Sequence, residues 1–186
     1  MSVPTNSVSY NTNMHTLYTI GHSTRSIEEL IELLRAHGIE EVADVRTVPK
    51  SRRNPQFSSD ALAASLREAG IAYTHLKQLG GLRHPAKDSP NTGWQNTSFR
   101  GYADYMSTPA FEEGLDELKK LAEKKRVAIL CAEAVPWRCH RSLIADALTV
   151  QGWQVLHIMN RKTAKPHELT AFLQVQDGKL IYPSLL

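Results

Sequence analysis

The chain has 186 residues, of which 41% are hydrophobic and 22% charged, with a formal net charge of +3. These values describe an ordinary globular chain long enough to bury a core in one domain, and they exclude a collagen-like or wholly disordered protein. No apolar run approaches membrane-spanning length, so no membrane partner is expected; a pI near 8.9 permits an anionic partner without demanding nucleic acid.

Residues 1–16 read as a disordered tail, rich in Ser, Asn and Thr and lacking the apolar core of a secretory signal, with Met14 an alternative start. Residues 17–186 read as a single α/β domain. Without a targeting segment the expected location is the cytoplasm, where the two cysteines are expected as free thiols.

Leu17 to Gly21 is an apolar run ending in Gly21-His22-Ser23, a strand followed by a loop. Ser26 with Glu29 forms a capping box that opens a helix reaching about His37, with an apolar stripe of Ile27, Leu30, Ile31 and Leu34. Gly38 stops it. Val42 to Val45 is a second strand ending in Asp44-Val45-Arg46. A loop follows that carries Arg46, Lys50, Arg52 and Arg53 with Pro49 and Pro55. Ser59 is positioned to cap a second helix bearing Leu62, Ala63, Leu66 and Ala69, ended by Gly70. Ile71 to Leu76 is a third strand that runs out at Leu79-Gly80-Gly81.

The segment from Leu82 to Gly101 is long, polar and irregular, a pattern typical of functional or mobile connections. A short helix is expected over Tyr102 to Met106. A longer one opens with Thr108 as cap and Pro109 at the first helical position, and buries Phe111, Leu115, Leu118 and Leu121. Val127 to Leu130 is a fourth strand, and Leu143, Ile144, Ala147 and Leu148 mark the helix beyond it. Gly152 ends that helix and Val155 to Met159 forms a fifth strand. The tail has a polar link around Lys162 to Lys165, a short apolar piece over Leu169 to Val175, a turn at Asp177-Gly178, and Leu180 to Tyr182.

The junction of helix, glycine, apolar residue and strand recurs at Gly38-Ile39, Gly70-Ile71 and Gly152-Trp153. Strands alternating with helices through such junctions predict an α/β fold: three layers, a mostly parallel sheet of about five strands and helices on both faces, Rossmann-like or flavodoxin-like. Ligands in such folds bind beyond the carboxyl ends of the strands. Those ends carry His22 and Ser23; Asp44 and Arg46; Gln78 with Gly80 and Gly81; Cys131 and Glu133; and Asn160 with Arg161.

The richest of them is Leu130 to Leu143, a strand end joined to a helix start. A cysteine there lies in the field of helix amides, which favours the thiolate. Cys131 or Cys139 is the candidate nucleophile. Glu133 and His140 are candidate acid and base, Arg138 and Arg141 candidate anion clamps. Six residues separate Cys131 from Arg138, Pro136 lies among them and glycine is missing, so the loop departs from the cysteine-five-residues-arginine loop of phosphatases and sulfurtransferases. Cys131, Cys139, His140 and His22 are conceivable zinc ligands. The seven-residue gap between the cysteines fits no common finger and the His-x-Glu of deaminases is missing, so no metal is assigned. The cofactor is unknown. Trp137, among polar loop residues, is the expected ligand-facing aromatic, and Trp153 is expected in the core.

With these motifs in view, the chain resembles the bacterial domain of unknown function 488 family. The resemblance rests on Thr19-Ile20-Gly21-His22-Ser23, on Asp44-Val45-Arg46 followed by Pro49 and Ser51-Arg52, and on Leu79-Gly80-Gly81. It rests further on Tyr102-Ala103-Asp104-Tyr105-Met106, and on Cys131-Ala132-Glu133 with Pro136, Cys139, His140 and Arg141. It covers roughly Leu17 to Met159 and implies a compact α/β domain whose motif residues cluster; it implies no established reaction.

The leading expectation is an enzyme, or a degenerate one, acting on an anionic small molecule or nucleotide. Arg46, Arg52 and Arg141 hold the anion in this reading, with Arg53, Ser23, Gly80 and Gly81 at the binding edge and His22 and Asp44 orienting groups across the cleft. The alternatives are a nucleic-acid-binding module of DNA maintenance, using the basic loop 46–53 and the irregular Leu82 to Gly101, and a sensor that binds a nucleotide without turning it over. Oligomeric state is left open.

Overall fold

A computed structural model describes residues 14–185; the tail expected over residues 1–16 lies mostly outside the described residues. The first strand, β1 (Thr16–Gly21), leads to α1 (Ile27–Ala36), β2 (Glu41–Asp44), α2 (Ser59–Glu68) and β3 (Ala72–His75). There follow α3 (Thr97–Tyr105), α4 (Pro109–Lys124), β4 (Val127–Cys131), α5 (Arg141–Val150) and β5 (Gln154–Ile158). Three short strands close the chain: β6 (Ala164–Pro166), β7 (Gln174–Gln176) and β8 (Lys179–Ile181).

The main sheet has six strands in the order β3-β2-β4-β1-β5-β6, and β7 pairs with β8 in a separate hairpin. All neighbours in the main sheet are parallel except β5 and β6. The architecture is the expected three-layer, Rossmann-like one. The sixth strand has no sequence signal: Ala164 to Pro166 is too short and too polar to show a strand period, and it forms only because Lys165 lies opposite His157 on the β5 edge.

Alternation along the strands builds two cores, one on each face of the sheet. Ala128 and Leu130 of β4 point to one, with Leu30 and Leu34 of α1 and Leu62 and Leu66 of α2. Val127, Ile129 and Cys131 point to the other, with Tyr102, Leu115, Leu118, Leu143 and Leu148 of α3 to α5. Cys131 is therefore aimed at the α3–α5 face by the same period that buries Ile129. Truncating a core leucine such as Leu118 to alanine costs about 2–5 kcal/mol.

Local signals hold at most boundaries. Ser26 accepts from the Glu29 amide at 3.1 Å while Glu29 accepts from the Ser26 amide at 2.9 Å. Thr108 caps α4 with Pro109 in its first turn. Gly38, Gly70 and Gly152 adopt φ of +65°, +76° and +87°, so each junction turns from helix to strand through the left-handed region.

Two boundaries differ from expectation. Residue 58, not Ser59, is the cap position of α2, and Ser58 Oγ donates to the Pro55 carbonyl instead of accepting from the helix. The helix expected at Tyr102 begins at Thr97, because Asn96 accepts from the Ser98 and Phe99 amides and starts it a turn earlier. The irregular segment is correspondingly shorter, and its middle is fixed by Asp104, which accepts from the Ala86 amide, Ser89 and Asn91.

Candidate functional site

The strand order decides the site. Inserting β4 between β2 and β1 brings three strand ends side by side: Gly21 is in register with Cys131, and Asp44 with Leu130. The chain leaves β1 and β4 together, the His22 and Ser23 amides donating to the Cys131 and Ala132 carbonyls at 3.0 and 2.9 Å. A cavity of about 820 Å³ opens above these ends. Its floor holds His22, Arg46, Cys131, Cys139 and His140, and its rim holds Ser23, Glu133, Gly81 and the loop through Arg53.

After β4 the backbone makes a short turn at Pro136–Arg138, which returns Cys139 to the end of the strand. His140, directly before α5, then reaches back across the site. Its Nε2 lies 2.9 Å from the Val45 carbonyl, which can only accept, so Nε2 carries the proton. The Nδ1 lone pair is thereby turned to the two sulfurs, 3.9 Å from Cys131 Sγ and 3.7 Å from Cys139 Sγ. Both cysteines are free and buried. The neighbouring Cys139 thiol, reinforced by His140 and opposed by burial, holds the Cys131 thiol well below its ordinary pKa. Burial and the neighbouring Cys131 push Cys139 well above.

Glycines make this approach feasible. A Cβ at Gly81 would collide with the His140 ring, and one at Gly21 with the Glu133 carbonyl and Arg141. Gly80, by contrast, packs under Thr47 and does not line the cavity.

The sequence-predicted cations separate into two groups. Arg46 is buried and locked: Nε and NH2 bond Asp44, and NH1 donates to the Phe57 carbonyl at 2.8 Å. Burial works against that charge, and the Asp44 bonds outweigh it and raise the Arg46 pKa. Asp44 is itself fully buried and also accepts from Tyr73, so it anchors Arg46 instead of orienting groups in the cleft. Arg141, expected to clamp an anion, is 1% exposed and outside the cavity lining. Its guanidinium donates to the Glu133 and Ala134 carbonyls and so pins the loop after β4. Arg46 takes a carboxylate two residues back along the chain, and Arg141 takes carbonyls of the loop just before it, so both arginines become supports. By contrast, Lys50, Arg52, Arg53 and Arg138 are exposed, line the cavity, and make no side-chain hydrogen bond or ion pair among the described residues.

His22 is buried and stacks on Phe57 at 4.3 Å. Its Nδ1 donates to the Ser23 carbonyl, leaving Nε2 facing Arg46 at 3.4 Å. Burial, with the Arg46 charge assisting, lowers its pKa and keeps it neutral near pH 7. Ser23 adopts φ +49°, which turns the chain into the cavity rim. Glu133 is exposed on the opposite rim. Gln78, Asn160 and Arg161 are not brought to the cavity; Asn160 caps its own turn and Arg161 pairs with Glu32.

Trp137 is displaced from its expected role. It is 64% exposed and lines a second cavity of about 460 Å³, beside Trp94, His157 and His167. The 3-10 turn that returns Cys139 swings Trp137 to the outside. The aromatic in the main cavity is Phe99, which arrives with Asn96 and Ser98 from the start of α3. The sequence signal for it is the Asn96 cap, two residues before Ser98.

The class these features define is a three-layer α/β protein with a two-cysteine, one-histidine centre at the carboxyl edge of its sheet. The family model described as "Domain of unknown function DUF488" matches residues 26–148, and the chain belongs to that family. No curated protein and no solved structure gave a match. Among the described residues no helix is long and apolar enough to cross a membrane.

Proposed function

We propose that the cavity is the active site of an enzyme that uses a cysteine thiolate on an anionic small molecule or nucleotide. The observation that carries this reading is the orientation of His140, whose one unprotonated nitrogen faces both sulfurs at the floor of an open cavity. His140 Nδ1 takes the Cys131 proton, and the resulting thiolate attacks the electrophilic atom of the ligand. A sulfur–ligand bond forms, the bond to the leaving group breaks, and the imidazolium returns the proton to that group. Cys139 stays protonated and donates to the thiolate. Lys50, Arg52, Arg53 and Arg138 neutralise the anion, Ser23 and Gly81 shape the edge, and the Glu133 carboxyl is a second proton-transfer group beside His140. A cytoplasmic setting keeps both thiols reduced.

The test is alkylation of Cys131 by a small thiol reagent across pH, on the wild type and on Cys131→Ser and Cys139→Ser. A single fast-reacting thiol, titrating below the free value of about 8.5 and lost in Cys131→Ser, supports the reading. Two thiols that react no faster than free cysteine end it.

The exposed cations of the basic loop, without a partner among the described residues, favour one second reading, a nucleic-acid-binding module in which no reaction occurs. Its mark is steep weakening of DNA or RNA binding with salt. A sensor that binds a nucleotide without turnover would show binding with little dependence on either cysteine.

A further inference from the structure

From the same floor of the cavity we infer that Cys131, Cys139 and His140 form a three-ligand site for one zinc ion, with the fourth coordination position opening into the cavity. Geometry and charge carry this site, and it goes beyond the thiol reading, because a bound ion takes both sulfurs as ligands and masks the nucleophile.

The sulfur-to-nitrogen edges of the donor triangle have the size zinc needs. Zinc bonds sulfur at about 2.3 Å and imidazole nitrogen at about 2.0–2.1 Å. In a tetrahedron those lengths give sulfur-to-nitrogen edges of roughly 3.6 Å and sulfur-to-sulfur edges of roughly 3.8 Å. The sulfur-to-Nδ1 edges present are 3.9 and 3.7 Å, and all three donor atoms lie within 4.8 Å of one another. The two sulfur-to-nitrogen edges need to move by a few tenths of an ångström, and the two sulfurs, within 4.8 Å of each other, draw together by about 1 Å at most to complete the coordination.

The histidine is held as a ligand would be. A metal-binding imidazole characteristically donates its other N–H to a carboxylate or a backbone carbonyl, which fixes the tautomer and ring direction. The bond from His140 Nε2 to the Val45 carbonyl at 2.9 Å is that arrangement, and Gly81, with no side chain, leaves the space the ring occupies.

Charge points the same way. Arg141 is 1% exposed and bonds only carbonyl oxygens, so among the described residues this buried cation has no carboxylate partner. Buried charges are ordinarily paired. Arg141 lies in the field of both sulfurs. A zinc ion with two thiolates and a neutral imidazole has no net charge, and an anion at the fourth position brings the centre to −1, which balances Arg141. That anion is hydroxide or an anionic ligand from the cavity, where Arg138, Arg52 and Arg53 stand. Binding forms two sulfur–zinc bonds and one nitrogen–zinc bond and releases two thiol protons to solvent, with no change of oxidation state.

The test uses the whole chain, stripped with a chelator under reducing conditions and titrated with Zn²⁺ against a chromophoric chelator, then with Co²⁺ read by absorption. The expected result is one ion per chain, a thiolate-to-cobalt charge-transfer band, and protection of both cysteines from alkylation by Zn²⁺. Cys131→Ser, Cys139→Ser and His140→Ala each weaken binding by at least about 100-fold, whereas His84→Ala, on an exposed loop, leaves it unchanged. Zinc protection measured on the wild type decides the matter even if a variant fails to fold. Half an ion per chain, no charge-transfer band, or unchanged alkylation in Zn²⁺ overturns the site. If Zn²⁺ does not bind and Cys131 alkylates rapidly, the metal site falls and the thiol reading stands. If Zn²⁺ protects both thiols and the stripped protein reacts no faster than free cysteine, the reverse holds.

Discussion

Two histidine centres in this molecule share a construction and differ in how they end. On the β5 side, Thr19 Oγ1 lies 2.7 Å from His157 Nδ1, His157 Nε2 lies 2.9 Å from His167 Nδ1, and His167 Nε2 lies 2.8 Å from Asp146. Asp146 also accepts from the Thr170 amide, Thr170 Oγ1 and Tyr182. With both rings neutral every proton has a direction: Thr19 donates to His157, His157 to His167, and His167 to the carboxylate. The chain of bonds is closed and fully satisfied. At the β4 end, His140 donates to Val45, but its other nitrogen ends on two thiols under an open cavity lined by exposed cations. A satisfied buried network fixes structure; one left open toward a cavity is available for chemistry.

The sharpest way to break this comparison is to remove the carboxylate of the closed centre. Asp146→Ala leaves His167, Thr170 and Tyr182 without an acceptor and is expected to destabilise the fold by about 3–5 kcal/mol. Urea unfolding measures it, and a loss under about 1 kcal/mol would show that the network does not tie the tail to α5. Arg46→Met, which leaves Asp44 buried without its cation, is expected to cost a similar amount, about 3–5 kcal/mol, in the same assay.

At the open centre the pattern reverses. His140→Gln is expected to slow alkylation of Cys131 at pH 7 by roughly 10- to 100-fold, or about 1.4–2.8 kcal/mol, while unfolding changes by less than about 1 kcal/mol. A variant that loses stability and keeps its reactive thiol would exchange the roles of the two centres.

The closed centre also predicts a pH dependence. Burial, with the Arg141 charge adding repulsion, lowers the His157 pKa from 6.5 to about 3. Between those values the unfolded chain binds the extra proton. Stability from this group is therefore complete above pH 6.5 and declines as pH falls toward 3, by at most about 1.4 kcal/mol per pH unit. Thermal melts from about pH 8 to about pH 4 should show a smaller slope in His157→Asn; an identical slope would assign the loss to other groups. The smallest effect is expected at the rim, where Arg52→Ala and Arg138→Ala should alter stability by no more than about 0.5 kcal/mol, yet weaken binding of an anionic ligand.

By itself, the sequence determined whatever depends on neighbours along the chain. The Ser26–Glu29 box, the Thr108-Pro109 start and the glycine junctions each act within a few residues, so their outcomes were legible. The placement of His22, Cys131 and Glu133 at strand ends followed from the apolar runs that precede them. Tertiary structure decided what depends on contacts across the chain. The insertion of β4 between β2 and β1 set Val45 opposite His140 and so chose the ring's tautomer. The Phe57 carbonyl completed the hold on Arg46, and the carbonyls of residues 133 and 134 claimed Arg141, because a buried guanidinium takes the acceptors that the fold brings to it. The turn that restored Cys139 to the site carried Trp137 out of it. The spacing between the cysteines matched no familiar metal motif, yet folding set their sulfurs around one imidazole nitrogen, since distance along the chain does not fix distance in space.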